Sequence, residues 1–322
     1  MKFKHTFHVF VDNFQTVYKQ LLYRLVVLLI SGIICTLGVY PFIKELLNSE
    51  QLNNLFGGLS GFITNLLNGN VHELGEFSQK VQQAYADFMV LLQTKSTQIA
   101  LSGLLLLLIY IVAKWFEGLG NYATAAVIND KMALRAEQPF LGTLIRNLKE
   151  ATIYNAIYVP LSILYDLIVG VAMFFLLFFL LNNVLYFFIC VFLFVLVIVV
   201  SVVIKMTFTC DWLPALIRGK KGQLGSFKYT FAQKNKGTLS VASNFAVLVL
   251  IIFALNSAAL ILTFGVGMLL TIPASYVILI CFEFVNYYDR EELKYFLDKD
   301  TIVKSEKEHI PTREEFFRGT ED

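Results

Sequence analysis

The chain has 322 residues, of which 57% are hydrophobic and only 16% charged, and its mean hydropathy is +0.66. Soluble domains carry about 25% charged residues, so this composition excludes an ordinary soluble protein and indicates a membrane protein. The net charge of +2 gives no bulk attraction to nucleic acid, and we expect no nucleic-acid partner.

Residues 1–20 predict a cytoplasmic amphipathic helix. Apolar residues recur there at spacings of three and four, which forms one helical face: Phe3, Phe7, Phe10, Phe14, Val17 and Leu21. Basic residues accompany this face, as in helices that lie on a membrane surface. The helix therefore either lies on the inner leaflet with its phenylalanines down, or packs on the cytoplasmic ends of the membrane helices.

Residues 21–288 predict an all-α, polytopic transmembrane bundle. Six apolar stretches reach the ~20 residues that a helix needs to cross a bilayer, at 21–43, 98–119, 151–181, 184–206, 240–263 and 265–287. The turns at Asn182-Asn183 and near Gly265 are very short. We therefore expect six helices arranged as three consecutive antiparallel hairpins, with a tilt or kink at Pro160.

The basic residues predict the orientation of these helices. With the N-terminus inside, 23 of the 26 Lys and Arg residues fall on the inner side, and only Lys44, Lys80 and Lys95 fall outside. Cytoplasmic loops of membrane proteins carry such an excess. We expect both termini to be cytoplasmic, including a charged tail at 289–322.

The segment 44–97 is the one substantial extracytoplasmic piece of this topology. Two apolar stripes at helical spacing flank the turn signal Asn68-Gly69-Asn70. We expect a helical hairpin there, with its apolar sides against the bundle or the lipid headgroups.

Two predicted cytoplasmic loops resemble each other. Leu-Gly-Thr at 141–143 and Leu-Gly-Ser at 224–226 each precede a basic amphipathic segment and then a membrane helix, which suggests an internal duplication. We expect Thr143 and Ser226 to be helix N-caps. Basic residues near these loops are candidate contacts for anionic lipid: Arg146, Lys149, Arg218, Lys220, Lys221 and Lys228.

Polar residues inside apolar runs are candidates for function because burying them is costly. Asp166 lies in the third span, and Asn256, Ser257 and Thr36 are placed at depths where they could join it in a polar pocket or a proton or ion step. The alternative is that Asp166 is an interhelical clasp.

Glu283 and Asn286 form a second candidate site, near the inner end of the sixth span. Water is expected to reach them there. They could equally be an ordinary polar helix end at the level of the headgroups.

Enzyme signatures are missing from the sequence: it contains no Walker motif, HExxH or GxSxG. The four histidines are too scattered to suggest a metal cluster. We therefore predict no catalytic residues, no metal and no cofactor.

The twin motifs at 141–143 and 224–226, each followed by a basic helix and a hairpin, carry a family resemblance. The chain resembles six-helix membrane proteins of low-GC Gram-positive bacteria, related to the membrane domain attached to some glycerophosphodiester phosphodiesterases. Residues 222–287 fit best, whereas the hairpin at 44–97 departs from the pattern. The resemblance implies a bacterial cell membrane protein, and the phosphodiesterase activity does not transfer because that soluble domain is absent.

Three functional hypotheses follow. The first is a non-enzymatic membrane protein that organises or handles lipids or an envelope complex, with membrane lipids and a membrane protein or a second copy as partners. The second is a small transporter with a polar site near Asp166. The third, for which the sequence offers least, is an intramembrane lipid-modifying enzyme.

Overall fold

The computed structural model describes residues 2–68, 74–133, 139–182, 187–219, 221–232, 238–296 and 302–303. Over these ranges the chain is almost entirely helical. The helices are α1 (Lys2–Asp12), α2 (Phe14–Gly38), α3 (Tyr40–Leu47), α4 (Glu50–Leu67), α5 (Leu74–Thr94), α6 (Ser96–Met132), α7 (Phe140–Arg146), α8 (Leu148–Asn182), α9 (Phe187–Thr209), α10 (Trp212–Ile217), α11 (Gln223–Ala232), α12 (Thr238–Leu262) and α13 (Met268–Arg290).

Six apolar helical segments within the described ranges are long enough to cross a membrane. They are α2, α6, α8, α12, α13 and the segment Ile189–Ile217, which covers most of α9 and all of α10. This confirms the predicted all-α polytopic bundle with six spans. The protein is thus a multi-pass membrane protein.

One of these helices, α6, is much longer than the sequence pattern predicts. The 37 residues of α6 make a rod of about 55 Å at 1.5 Å per residue, against a hydrocarbon core of about 30 Å. The apolar run ends at Leu119, but α6 continues to Met132 through residues that are almost all buried. The helix therefore persists because its second half packs against protein.

The hairpin between α12 and α13 is as tight as predicted. Phe264 and Gly265 adopt positive φ values of 51° and 87°, a conformation that glycine tolerates without steric cost. The Thr263 hydroxyl accepts a hydrogen bond from the Gly267 amide at 2.6 Å. The predicted turn at 182–183 runs into residues 183–186, which lie outside the described ranges.

The chain divides into two compact units. Unit 1 comprises Met1–Val27, Trp115–Pro160 and Val199–Asp322, and unit 2 comprises Leu28–Lys114 and Leu161–Ile198.

Unit 2 contains the helical hairpin predicted within residues 44–97, formed by α4 and α5. Leu55 and Phe62 of α4 pack with Val81 of α5 in a small buried cluster. Gly58 allows this close approach, because a Cβ at that position would lie 3.2 Å from a methyl of Val81. The turn residues 69–73 lie outside the described part of the chain.

Unit 1 is built around α13, the most thoroughly buried of the spans. Its residues from Val277 to Tyr288 are all buried, and the surrounding core includes Tyr122, Tyr154 and Trp212. A helix buried in this way usually carries apolar residues on all sides. The polar residues within this stretch of α13 are therefore unusual, because protein encloses them.

The N-terminal helix α1 packs on α13, the second of the two predicted placements. The ring of Phe3 stacks on Phe282 at 5.7 Å, and the Lys2 ammonium donates a hydrogen bond to Asn286 Oδ1 at 3.1 Å. The first helix of the described chain is thus held by the last.

The predicted apolar stripe of α1 and the start of α2 is divided between the interior and the surface. Phe3 and Phe10 pack on the core and Val17 is fully buried, whereas Phe7 and Phe14 are exposed by 39% and 37% and the neighbouring Tyr18 by 50%. The buried positions of this segment are largely polar: Thr6, Val9, Asn13, Thr16, Val17 and Gln20. Part of the aromatic stripe therefore faces outward.

A two-residue antiparallel ladder follows α13. Strand β1 (Tyr295–Phe296) pairs with β2 (Ile302–Val303), with Tyr295 opposite Val303. Most of the predicted charged tail at 289–322 lies outside the described residues.

Candidate functional site

Asp166 lies on α8 and is engaged by α6 within unit 2. The Tyr110 hydroxyl donates a hydrogen bond to Asp166 Oδ2 at 2.7 Å, and the Lys114 ammonium lies 3.9 Å from the same oxygen. The Asp166 side chain is 28% exposed. This geometry corresponds to the interhelical clasp that the sequence left open as the alternative to a pocket.

Asn256 on α12 has its partners on α13. Its Nδ2 donates to the Ser275 hydroxyl at 3.0 Å, and its Oδ1 accepts from the Thr271 hydroxyl at 2.7 Å. Ser257 is half-buried. These bonds tie the two helices of the last hairpin together.

Thr36 is exposed and donates to the Gly32 carbonyl of its own helix at 2.9 Å. Asp166 and Thr36 belong to unit 2, whereas Asn256 and Ser257 belong to unit 1.

An arginine-centred network in unit 1 was missed by the sequence analysis. Arg24 Nη2 lies 3.0 Å from Glu117 Oε1 and donates to Asn121 Oδ1 at 3.1 Å. Gln20 donates to the same Asn121 oxygen at 3.0 Å, and the guanidinium lies 3.5 Å from the ring centroid of Tyr276. The network joins α2, α6 and α13.

The packing of α6 on α8 depends on a second polar contact. Asn155 Nδ2 donates to the Trp115 carbonyl at 3.0 Å. Gly118 lies directly beneath this amide, since a Cβ there would overlap the Asn155 side chain. The Tyr122 hydroxyl donates to Glu150 Oε2 at 3.0 Å one helical turn further on.

Glu283 and Asn286 are buried, which corrects the expectation that water reaches them. Their exposed fractions are 7% and 2%, because α1, α10 and α12 pack around α13. Asn286 accepts from Lys2, while its own Nδ2 has no hydrogen-bond acceptor among the described residues. Glu283 has no hydrogen bond or ion pair to any residue that the structure describes.

Three of the six basic candidates are engaged within the protein. Arg146 pairs with Asp130 at 3.2 Å, and Lys221 lies 3.9 Å from Glu291 and 3.5 Å from the ring centroid of Tyr229. Arg218 lies over the ring of Tyr288 at 5.4 Å.

Lys149 and Lys228 are exposed, and within the described ranges neither makes an ion pair. The sixth candidate, Lys220, lies outside the described residues. Lys149 and Lys228 are therefore the candidates best placed to meet a ligand outside the protein.

The twin motifs adopt the same local structure, although the predicted N-caps are wrong. Thr143 and Ser226 are each the fourth residue of a short helix, α7 or α11, and both are buried. Leu141 and Leu224, each the second residue, are exposed by 64% and 71%. The structure thus places an exposed leucine at equivalent positions of both copies.

A charged cluster joins α11 to the chain after α13. The Tyr229 hydroxyl donates to Glu291 Oε1, and burial together with this carboxylate raises the pKa of Tyr229. A buried ion pair between Asp211 and Arg290 connects α10 with the end of α13. These contacts fix the helix ends of unit 1.

Groups of three or more potential metal ligands are not found among the described residues. No protein-family model, no curated protein and no solved structure matches this chain.

Proposed function

We propose that this chain is a non-enzymatic bacterial plasma-membrane protein that binds anionic lipid at its cytoplasmic end and so organises lipids or an envelope complex. The observation that carries the proposal is an exposed leucine on each twin helix, Leu141 of α7 and Leu224 of α11. Exposed lysines follow both in sequence, Lys149 at the start of α8 and Lys228 on α11. Apolar and basic groups together suit the headgroup region of a membrane.

The N-terminal segment supports the same proposal. Phe7, Phe14 and Tyr18 are exposed beside the exposed Lys4 and Lys19. Neither lysine pairs with an acid in the described part of the chain. All of these residues belong to unit 1, as do both twin helices.

Lipid analysis of the purified protein tests the proposal. Reconstitution into nanodiscs of mixed phosphatidylglycerol and phosphatidylcholine is expected to give bound lipid enriched in phosphatidylglycerol, measured by native mass spectrometry. A basic residue near an anionic surface contributes about 1 kcal/mol, or roughly fivefold in affinity. Replacing Lys4, Lys19, Lys149 and Lys228 by Gln should therefore lower the enrichment at least fivefold.

The matched control is Lys44→Gln, which removes an exposed charge from α3 on the predicted outer side. It should leave the enrichment unchanged. Wild-type protein that retains both lipids in the proportion supplied would refute the proposal.

A transporter with its site near Asp166 is the second hypothesis. The contacts of Asp166 with Tyr110 and Lys114 favour a structural role, because its charge already has a partner. Loss of uptake of a solute in an Asp166→Asn variant that still inserts normally would favour transport instead.

A further inference from the structure

Glu283 differs from several other acidic residues of unit 1, which each have a partner side chain. Glu117, Asp130 and Asp211 each lie against an arginine, and Glu291 accepts from Tyr229. Glu283 is 7% exposed and lacks any such partner in the described ranges. It is a buried acidic residue to which no described residue donates a hydrogen bond.

The surroundings of Glu283 are apolar and aromatic. Its neighbours on α13, Phe282 and Phe284, are fully buried. Tyr154 of α8 belongs to the same buried cluster as this turn of α13, and the Tyr154 ring packs on Trp212 of α10 at 5.3 Å. The Trp212 indole nitrogen is buried and has no acceptor among the residues that the structure describes.

The charged and titratable groups on the elements packed around α13 either have other partners, as His5 has in Tyr295, or are exposed, as Lys4 is. Lys2 of α1 donates to Asn286, and Asp211, which precedes α10, pairs with Arg290. Tyr122 of α6 donates to Glu150. None of these supplies a positive charge to Glu283.

An isolated carboxylate in such an environment is very costly, since desolvation of the charge is not repaid by a partner. A proton is the smallest ligand that removes the charge. We propose that Glu283 is a proton-binding site in the interior of unit 1, occupied at neutral pH. This inference is independent of lipid binding.

Infrared spectroscopy of the full-length protein in nanodiscs tests the proposal. The carbonyl stretch of a protonated carboxyl group, which shifts in D2O, is expected in wild-type protein at pH 7. It should disappear in Glu283→Gln, an uncharged variant of nearly the same shape. It should persist in Glu117→Gln, because Glu117 is paired with Arg24 and ionised.

Two outcomes would overturn the inference. One is a wild-type spectrum without the protonated band, together with loss of an ionised carboxylate band in Glu283→Gln. The other is a protonated band that appears only when sodium is replaced by choline, which would make the site a metal-cation site. Should Glu283→Gln fail to fold, Glu283→Asp replaces it: the protonated band should then shift in frequency, and a band that does not move would also overturn the inference.

Discussion

The Tyr110 hydroxyl donates a 2.7 Å hydrogen bond from α6 to Asp166 on α8. Lys114, one turn along α6, lies 3.9 Å from the same carboxylate oxygen and 5.5 Å from the Tyr110 ring centroid. A polar group in a membrane span thus serves to hold two helices together, a common role for such residues.

Tyr110→Phe removes this hydrogen bond and keeps the ring. Interhelical hydrogen bonds in a membrane protein average about 0.6 kcal/mol, so the free energy of unfolding should fall by about that amount. Reversible unfolding in mixed micelles measures the change. Tyr40→Phe, at an exposed tyrosine of α3, is the control, and equal stability of the two variants would contradict the clasp.

Gly118→Ala should destabilise the protein. The added methyl would overlap the Asn155 amide, and overpacking of a filled interior costs about 1–3 kcal/mol. Thermal unfolding in detergent measures the loss. Gly103→Ala on the same helix is the control, because nothing lies within 4 Å of its Cβ position; a similar loss in both variants would show that helix contact is not the cause.

The packing of strand β1 against α1 should depend on pH through His5. Its Nδ1 lies 2.9 Å from the Tyr295 hydroxyl, and burial lowers its pKa below the ordinary 6.5, opposed in part by Asp289. A lowered folded-state pKa means that the unfolded form binds the proton more tightly. The stabilisation is therefore present above pH 6.5 and is lost as the pH falls through the folded-state pKa.

Hydrogen exchange of residues 295–296 measures this effect. After correction for intrinsic rates, protection should fall between pH 7.5 and pH 5 in wild-type protein and in His8→Gln, which changes an exposed histidine. In His5→Gln the pH dependence should be lost. A wild-type profile that persists in His5→Gln would assign the effect to another group.

Fusion reporters test the predicted orientation. Alkaline phosphatase joined after Lys95 should be active, because the excess of basic residues places this point outside the cytoplasm. Green fluorescent protein joined after Asp322 should fluoresce. The opposite pair of results would invert the topology and move the exposed lysines of unit 1 to the outer face.

The six spans were predictable because apolar runs of about 20 residues are a strong signal. Residues 120–132 of α6 were not predicted to be helical, since they are too polar for a span and their helix depends on packing. The division of the apolar stripe of α1 between interior and surface was not predicted for a related reason. Hydrophobic periodicity identifies an apolar face but not which surface of the protein receives it.

The candidate site was also only partly predictable, because its partners are brought together by packing and not by local sequence. Asp166 stands out in an apolar run, but its partners Tyr110 and Lys114 lie over 50 residues away and gave no local signal. Glu283 was predicted to lie within reach of water, as a candidate site or a polar helix end, because only the fold shows that it is enclosed. Arg24 was counted as a basic residue near the membrane, although its spacing of four from Gln20 on one helical face was the available clue to the network.

Docking of α1 against α13 has a consequence for biosynthesis. The residues joined by the bond from Lys2 to Asn286 are separated by 284 positions, and chains grow at about 5–20 residues per second. Synthesis of α13 is therefore completed roughly 15–60 s after α1 has been made. During that interval the exposed aromatic residues of α1 can bind the membrane surface. The same helix is thus bound first by lipid and only later by α13.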